Sequence, residues 1–385
     1  MREQIEAEAR AAHAAVAALR DDAVSDALAH AAALVRERRD EVLRANDADL
    51  AAATELDEGT RDRLRLDVDA VAEQLQELAA LPPLDRVESS WTLPAGGRVE
   101  LRRIPIGAVG ANFEARPNVA VDVAGQLLKS LNAGVLRTGG AALRTVTVLV
   151  DDVLRPALEA AGLPAAAIGL VRSPDREGAR LLVTFPDVLP LVILRGSGET
   201  TAALAREAAQ HGVRTLAHAE GGGVLYLHRA ADPAKARAIV EQSLDRLGVC
   251  NRLNLLLCDD LSQVPHDALA GFELVDELQE WANVPDRIRS VTVRAVAGVD
   301  EAVRVANEET SGLAASIVTE DETAAQAFLD GYRGTAAYWN ATTRLTDGFK
   351  LTGAPETGIN VDRVPGPRGP VTYRDLYLRQ FRVVG

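Results

Sequence analysis

Apolar positions recur at helical spacing through residues 2–80, among many alanines and few β-branched residues. That period predicts two or three amphipathic helices ending near Leu81-Pro82-Pro83, where the double proline sets a boundary. The pattern then shortens. In WTLPAGGRVELRRIPIGAVGANF, Gly96-Gly97 divides two short runs in the manner of a β-hairpin, and Ile104 to Val109 reads as a buried strand. Farther on, the strand-like runs GVLRTG, GLVRS, VLPLVILRG and VLYLH alternate with alanine-rich helical runs, the signature of a mostly parallel α/β sheet.

A second alternating section follows Cys250. It runs through LNLLLCDD, a helix-like VPHDALAGFELVDELQEWA, SVTVRAV, a helix from Asp300, ASIVTED, and a further helix leading to GTAAYWNATTRLTDG. This predicts a second α/β domain of about 100 to 130 residues. The tail PGPRGPVTYRDLYLRQFRVVG is turn-rich and then strand-like.

Composition narrows the class. A chain of 385 residues, 47% hydrophobic, can bury a sizeable core divided over roughly two to three domains. A net charge of −14 gives no electrostatic footprint for nucleic acid or anionic lipid, so an anionic substrate must be held by a few local arginines. The N-terminus is charged and alanine-rich with no apolar signal core, and no apolar run of ~18 residues suggests a membrane span. The expected location is cytoplasmic.

The two cysteines stand eight positions apart, which makes neither a disulfide framework nor, without nearby histidines, a zinc site. Cys258 ends the apolar run Leu255 to Leu257 and reads as core filler. Cys250, after a glycine turn and before Asn251, fits either a buried thiol or a thiolate nucleophile. A nucleophile of lowered pKa would alkylate near neutral pH much faster than Cys258.

IPIGAVGANFEARPNVAVDVAGQLLKSLNAGVLRTGG, GVCN, SIVTED, WNATTRLTDG and PETGIN occur in this order and spacing over nearly the whole chain. The sequence thereby resembles the γ-glutamyl phosphate reductase (glutamate-5-semialdehyde dehydrogenase) branch of the aldehyde dehydrogenase superfamily. The most specific signatures are Glu114-Ala115-Arg116-Pro117-Asn118 and Val249-Cys250-Asn251. The resemblance implies an α/β fold with a Rossmann-like dinucleotide-binding domain over 1–88 and 105–220. It also implies a catalytic domain over 221–364, whose end returns toward the cofactor domain, and a small β oligomerisation element from 89–104 and 365–385.

By that resemblance Cys250 attacks an acyl phosphate, expels phosphate and forms a thioester, which a hydride from a nicotinamide converts to the aldehyde, a step of proline biosynthesis. The tetrahedral oxyanions need preorganised donors, and the Cys250 amide with Asn112, Arg116 or Asn251 could supply them. Arg116 also suits a phosphate or carboxylate. Glu114, Asn118, Arg344 and Asp347, with Lys350 nearby, are the implied substrate-side residues. Arg195, Gly196, Ser197 and Gly198, between a strand and a helix, would face the cofactor pyrophosphate. Arg137 would suit a ribose 2′-phosphate, hence NADP, and Glu356 would sit at the cofactor or substrate mouth. No metal is implied. Glu220 stands roughly where the superfamily carries a general base, which opens an alternative: oxidation of an aldehyde to a free acid.

Departures from the family's usual pattern bear on the substrate. Ser243-Leu244-Asp245-Arg246-Leu247-Gly248 replaces a stretch with a lysine by one with an acid, and Gly312-Leu313-Ala314-Ala315 replaces Gly-His-Thr-Asp. Arg368-Gly369-Pro370-Val371 ends in valine instead of methionine. Lost polar contacts change selectivity strongly, so the expected substrate is a modified relative of γ-glutamyl phosphate, less polar or N-substituted. A scaffold that has lost catalysis is the rival reading. Family likeness implies a homodimer or dimer of dimers, WTLPAGGRVELRR and YLRQFRVVG pairing with each other and extending a neighbour's sheet. A partner kinase could hand over the acyl phosphate.

Overall fold

The computed structural model describes residues 1–56, 58–196, 198–218, 221–278, 288–363 and 366–385, with the side chains of 58 and 59 set aside. Helices Arg2–Ala15, Asp21–Glu37, Arg39–Ala52, Glu58–Leu64 and Val68–Ala80 occupy the N-terminal region, five where periodicity predicts two or three. Arg38 leaves the helical region at φ −93, ψ 21 and splits one apparent period into two helices. The last helix is capped by Asp67, which accepts from Asp69 and Ala70 amides, and it stops at extended Leu81 ahead of the two prolines.

Strands β1 (Val87–Thr92) and β2 (Arg98–Ile104) form the hairpin around Gly96-Gly97, closed by the Leu93 amide on the Gly97 carbonyl at 2.9 Å. The buried strand expected over 104–109 begins later, as β3 (Ala108–Phe113). Pro105 cannot donate to a ladder, and Gly107 at φ 123 turns the chain between the two strands. With β4 (Ala133–Thr138), β5 (Ile168–Leu170), β6 (Leu191–Arg195) and β7 (Arg214–His218), β3 builds a wholly parallel sheet in the order β5-β4-β3-β6-β7. Both faces are covered. Val109, Ala111 and Phe113 join the core shared with the N-terminal helices, while Ala108, Val192 and Leu194 face the opposite layer.

Strands β8 (Gly223–Leu227), β9 (Leu253–Cys258), β10 (Glu273–Val275), β11 (Ser290–Ala295), β12 (Ala314–Val318) and β13 (Ala336–Trp339) form a second parallel sheet, ordered β10-β11-β9-β8-β12-β13. The helix expected over VPHDALAGFELVDELQEWA is absent where the chain is described. Turns lead into β10, captured as an edge strand by pairing Glu273–Val275 with Ser290–Thr292; positions 279–282 lie outside the described residues.

The pair β14 (Gly358–Asn360) and β15 (Gly369–Val371) returns to the first sheet. There His218 Nδ1 meets the Ile359 carbonyl at 2.8 Å, and the Tyr373 amide donates to Gln126 at 2.5 Å. The last strand, β16 (Leu378–Val384), pairs antiparallel with β2 from Leu378↔Ile104 to Val384↔Arg98, so the hairpin and the C-terminal strand join within one chain.

Candidate active site

In the first sheet the chain moves outward through β4 and β5 on one side of β3 and through β6 and β7 on the other. Such a reversal leaves a crevice at the carboxyl ends of β3 and β6, the usual ligand site of open parallel sheets. EARPN follows β3, and Arg195 ends β6. Cys250 lies just before β9, at the amino edge of the second sheet, and Arg116 reaches it by donating to the Gly248 carbonyl at 3.4 Å.

Ala115 sits at φ 43, a left-handed conformation that costs a residue with a Cβ of order 1–3 kcal/mol. Strain of this kind is held only where surroundings fix the chain. Here it lies between Glu114 and Arg116, just ahead of the helix Asn118–Lys129.

The site's charges act on one another. Burial pushes the Cys250 thiol up to about 11; Glu356 adds to the rise, while Arg116 and Arg195 pull it down. The thiol is therefore raised where a nucleophile is expected to be lowered, since two guanidiniums do not offset desolvation and a nearby carboxylate. Burial and then Arg195 lower Arg116 to about 10. Glu356 is raised by burial and accepts from the Gly348 amide at 2.8 Å. Cys250 is half-buried and rests on an apolar wall of Leu313, Ala314 and Ile359.

Several predicted residues are committed elsewhere. Asn251, a candidate oxyanion donor, turns its side chain to the neighbouring loop: its amide donates to the Thr346 carbonyl at 2.8 Å and its oxygen accepts from Arg344. Arg344, expected on the substrate, also donates to Asp245 at 2.6 Å. The acid that departs from the family pattern thus neutralises this arginine. Asp347 caps the short helix Gly348–Thr352 by accepting from the Lys350 amide. Both side chains thus bond within the loop 342–352 and to Asn251, the residue after Cys250.

Of the residues expected to face a cofactor, Arg137 is 4% exposed and donates to Asn112 at 3.1 Å and the Asp175 carbonyl at 2.9 Å. Its guanidinium braces the strand ends, and Asn112 accepts from it through Oδ1, which leaves the Asn112 side-chain N–H donors in place. Gly196 lies against the exposed Glu114: a Cβ there would stand 3.4 Å from the carboxylate. Gly198 opens the helix Gly198–Gln210 after β6. Ser197 and Glu220 lie outside the described residues. Among the described residues no cluster of three or more His, Cys, Asp or Glu side chains could hold a metal ion.

Two titratable groups escape sequence reasoning. Asp122 is 7% exposed, accepts only from Asn118 at 3.1 Å, and leaves Oδ1 without a hydrogen-bond partner among the described residues. Burial raises it to about 7 against the pull of Arg195 and Arg116, with Glu356 adding to the rise. His218 is lowered to about 4, chiefly by burial and then by Arg195, and is neutral at physiological pH. Nothing in their spacing marks them; only the fold brings them to Arg195.

A carboxyl with a raised folded pKa binds its proton more tightly when folded, so stability falls as pH rises from about 4 to about 7. Asp122→Asn removes that fall. Between pH 5 and 7 the wild type should lose roughly 2–3 kcal/mol that the variant keeps. Thermal melts across this range check it, and parallel pH profiles for the two proteins would refute it.

The chain matches the aldehyde dehydrogenase family over residues 2–259 and 291–369. It is 33% identical over 392 residues to a γ-glutamyl phosphate reductase of Gluconobacter oxydans, covering 93% of this chain and 89% of that protein. It is 32% identical over 378 residues to one of Ligilactobacillus salivarius, covering 90% and 89%. The crystal structure of the γ-glutamyl phosphate reductase from Thermotoga maritima superposes with a TM-score of 0.90 at 28% identity, over 99% of this chain and 98% of that one. The chain is an oxidoreductase belonging to the aldehyde dehydrogenase family, in the branch of the γ-glutamyl phosphate reductases.

Proposed function

We propose that this protein reduces an acyl phosphate, γ-glutamyl phosphate or a modified relative of it, to the aldehyde with release of phosphate, using NADPH. The observation that carries this reading is the meeting of Cys250 with Arg116 and Arg195 where the carboxyl edge of one parallel sheet faces the amino edge of the other.

Cys250 gives up its thiol proton as Sγ attacks the acyl carbonyl, and the carbon–oxygen bond to phosphate breaks with its electron pair on phosphate, which can carry that proton away, leaving a thioester. Arg116 and Arg195 offset the charge of the departing group and the oxyanion. Asn251 turns its side-chain amide to the Thr346 carbonyl, while Asn112 is engaged only through its oxygen, so Arg116 and the Asn112 N–H donors are the candidates for that task. With a hydride that a bound nicotinamide dinucleotide would supply, the thioester carbon becomes a hemithioacetal, whose carbon–sulfur bond then breaks, returning the sulfur to Cys250 and freeing the aldehyde.

The crevice fits a nicotinamide dinucleotide: it opens at the strand-order reversal, it borders the amino end of the thirteen-residue helix Gly198–Gln210, and Gly196 carries no side chain into it. When bound, the dinucleotide supplies the hydride. The preference for NADPH rests on the basic ground beyond β4, where Arg176 stands exposed near Arg137. Equal catalytic efficiency with NADH would overturn it. The apolar wall of Leu313 and Ala314 beside Cys250 supports a less polar or N-substituted substrate, and its supply by a partner kinase belongs to the same proposal.

The test follows NADPH formation in reverse, with phosphate, NADP and aldehydes from glutamate-5-semialdehyde to N-substituted and less polar analogues. Turnover should require phosphate and Cys250. Turnover without phosphate would assign an oxidising dehydrogenase with Glu220 as base, and silence on every aldehyde would leave a scaffold without catalysis.

We further propose a homodimer, the unit from which a dimer of dimers is built. The three-stranded sheet exposes Trp91 at 43%, Phe381 at 67% and Val383 at 60%, an apolar surface ending in the open edge of β16. Light scattering should give at least twice the chain mass at micromolar concentration, and Phe381→Asp should shift it toward monomer. A wild-type monomer would refute the assembly.

No helix among the described residues is long and apolar enough to cross a membrane.

A further inference from the structure

Reduction of an acyl phosphate by hydride takes up one proton per turnover, and the reverse reaction releases one. Most groups around Cys250 are poor places to keep it. Arg116, lowered only to about 10, holds its own proton at neutral pH, and His218, lowered to about 4, has none to spare. Glu356 is raised by burial, but it accepts from the Gly348 amide, a bond that favours the ionised form. Asp122 differs from all of these.

Asp122 stands on the second turn of the helix Asn118–Lys129, directly beyond EARPN at the carboxyl end of β3. Its Oδ2 accepts from Asn118 at 3.1 Å, while its Oδ1 is buried without a hydrogen-bond partner among the described residues. One oxygen is thus fixed as an acceptor, and the other is free to carry a proton. A carboxylate so placed is costly, because its second oxygen has left water and gained no donor. The charges acting on it come from three other places in the chain: Arg195 at the end of β6, Glu356 in the loop before β14, and Arg116 in the EARPN turn. The same three act on Cys250. Carboxyl and thiol therefore belong to one electrostatic cluster, although 128 positions of chain separate them.

We propose that Asp122 is the proton store of the active site, taking a proton from Cys250 when an aldehyde is oxidised and returning it when a thioester is reduced. In the oxidising direction the thiol proton passes to the Asp122 carboxylate as sulfur bonds the aldehyde carbon. The carbonyl electron pair moves to oxygen, then re-forms the carbonyl as hydride leaves for a bound nicotinamide dinucleotide, and the thioester remains. In the reducing direction these steps reverse: the carbon–sulfur bond breaks with its pair on sulfur, Asp122 gives that sulfur its proton, and the carboxylate regains one from solvent. A carboxyl raised to about 7 suits both directions at neutral pH. This rests on the acyl-phosphate reading above and adds to it the place of the proton.

The test is the single burst of NADPH formed from saturating NADP and an N-acylated aldehyde, followed by stopped flow from acid to alkaline pH. Phosphate is left out because its own titration would overlay the profile, and the N-acylated aldehyde has no amine to titrate. The wild-type burst rate should rise with pH and level off above about 7, as Asp122 becomes the acceptor. Asp122→Asn should be at least ~10-fold slower at neutral pH and should climb without levelling toward pH 11, where the thiol itself ionises. Glu356→Gln should keep the plateau and reach it at lower pH, because Glu356 adds to the rise at Asp122. A plateau that survives in Asp122→Asn overturns the store, as does one abolished by Glu356→Gln or a variant slowed equally at every pH. If the wild type gives no burst with any aldehyde, the assigned reaction fails, and isotope-edited infrared titration of the free protein decides the store separately. A protonated-carboxyl band that is lost as pH passes about 7 and is missing from Asp122→Asn supports it. A carboxyl already ionised well below that pH overturns it.

Discussion

Cys250→Ala should lower phosphate-dependent turnover by at least ~10⁴-fold, because without the sulfur no covalent acyl intermediate forms. Cys258→Ala should keep most of the rate. Cys258, the last residue of β9, is wholly buried in the core and offers its thiol to the Arg294 carbonyl at 3.7 Å. Both thiols are pushed up to about 11, so acidity does not separate them. Access does. Iodoacetamide should label half-buried Cys250 slowly at pH 7 and faster with each step toward pH 11, while Cys258 stays protected until the chain unfolds. Glu356 contributes to the rise at Cys250, so Glu356→Gln should speed labelling at a given pH. Fast labelling of native Cys250 at neutral pH would show that the surroundings stabilise the thiolate after all. Retained turnover in Cys250→Ala would remove the thioester from the reaction.

Much of the scaffold is legible because buried parallel strands write themselves as short apolar runs. VLPLVIL and LNLLLC emerge as β6 and β9, and the glycine pair at 96 and 97 marks its hairpin. Boundaries and weak elements are less legible. A helical period over 264–282 gives way to an edge strand because pairing with β11 outweighs local preference, and Arg38 breaks a helix that spacing alone would continue. At the site, motif residues reveal chemistry but not commitment. Asn251 and Arg344 look available in sequence and are consumed by each other and by Asp245 in the fold. Asp122 looks like an ordinary helical acid four positions after Asn118, and its altered proton affinity comes first from burial in the fold and then from charges as distant in sequence as Arg195 and Glu356.

Gly221→Ala should cost about 10²-fold in kcat with a smaller loss of stability. A Cβ at this position would lie 2.9 Å from Cys250 Cβ, 3.0 Å from the Cys250 carbonyl oxygen and 3.1 Å from Leu313 Cδ2. Leu313 can rotate, but the other two atoms belong to the nucleophile's own main chain and first side-chain carbon. Relief therefore requires moving Cys250. That movement is opposed by the clamp behind it, where Thr343 donates to the Asn251 carbonyl at 2.8 Å and Arg344 holds the Asn251 side chain. The strain divides between a displaced thiol and an overpacked contact, and overpacking typically costs 1–3 kcal/mol. Misplacing a reacting atom by ~1 Å costs on the order of 10²-fold in rate even when binding survives. The expected signature is a fall in kcat with little change in the KM for NADP, alongside a modest drop in melting temperature. Leu313→Ala in the same chain should restore little of the rate, because it relieves only the contact that was free to yield. Full rescue by Leu313→Ala would mean that the side chain, not the main chain of Cys250, sets the limit at this glycine.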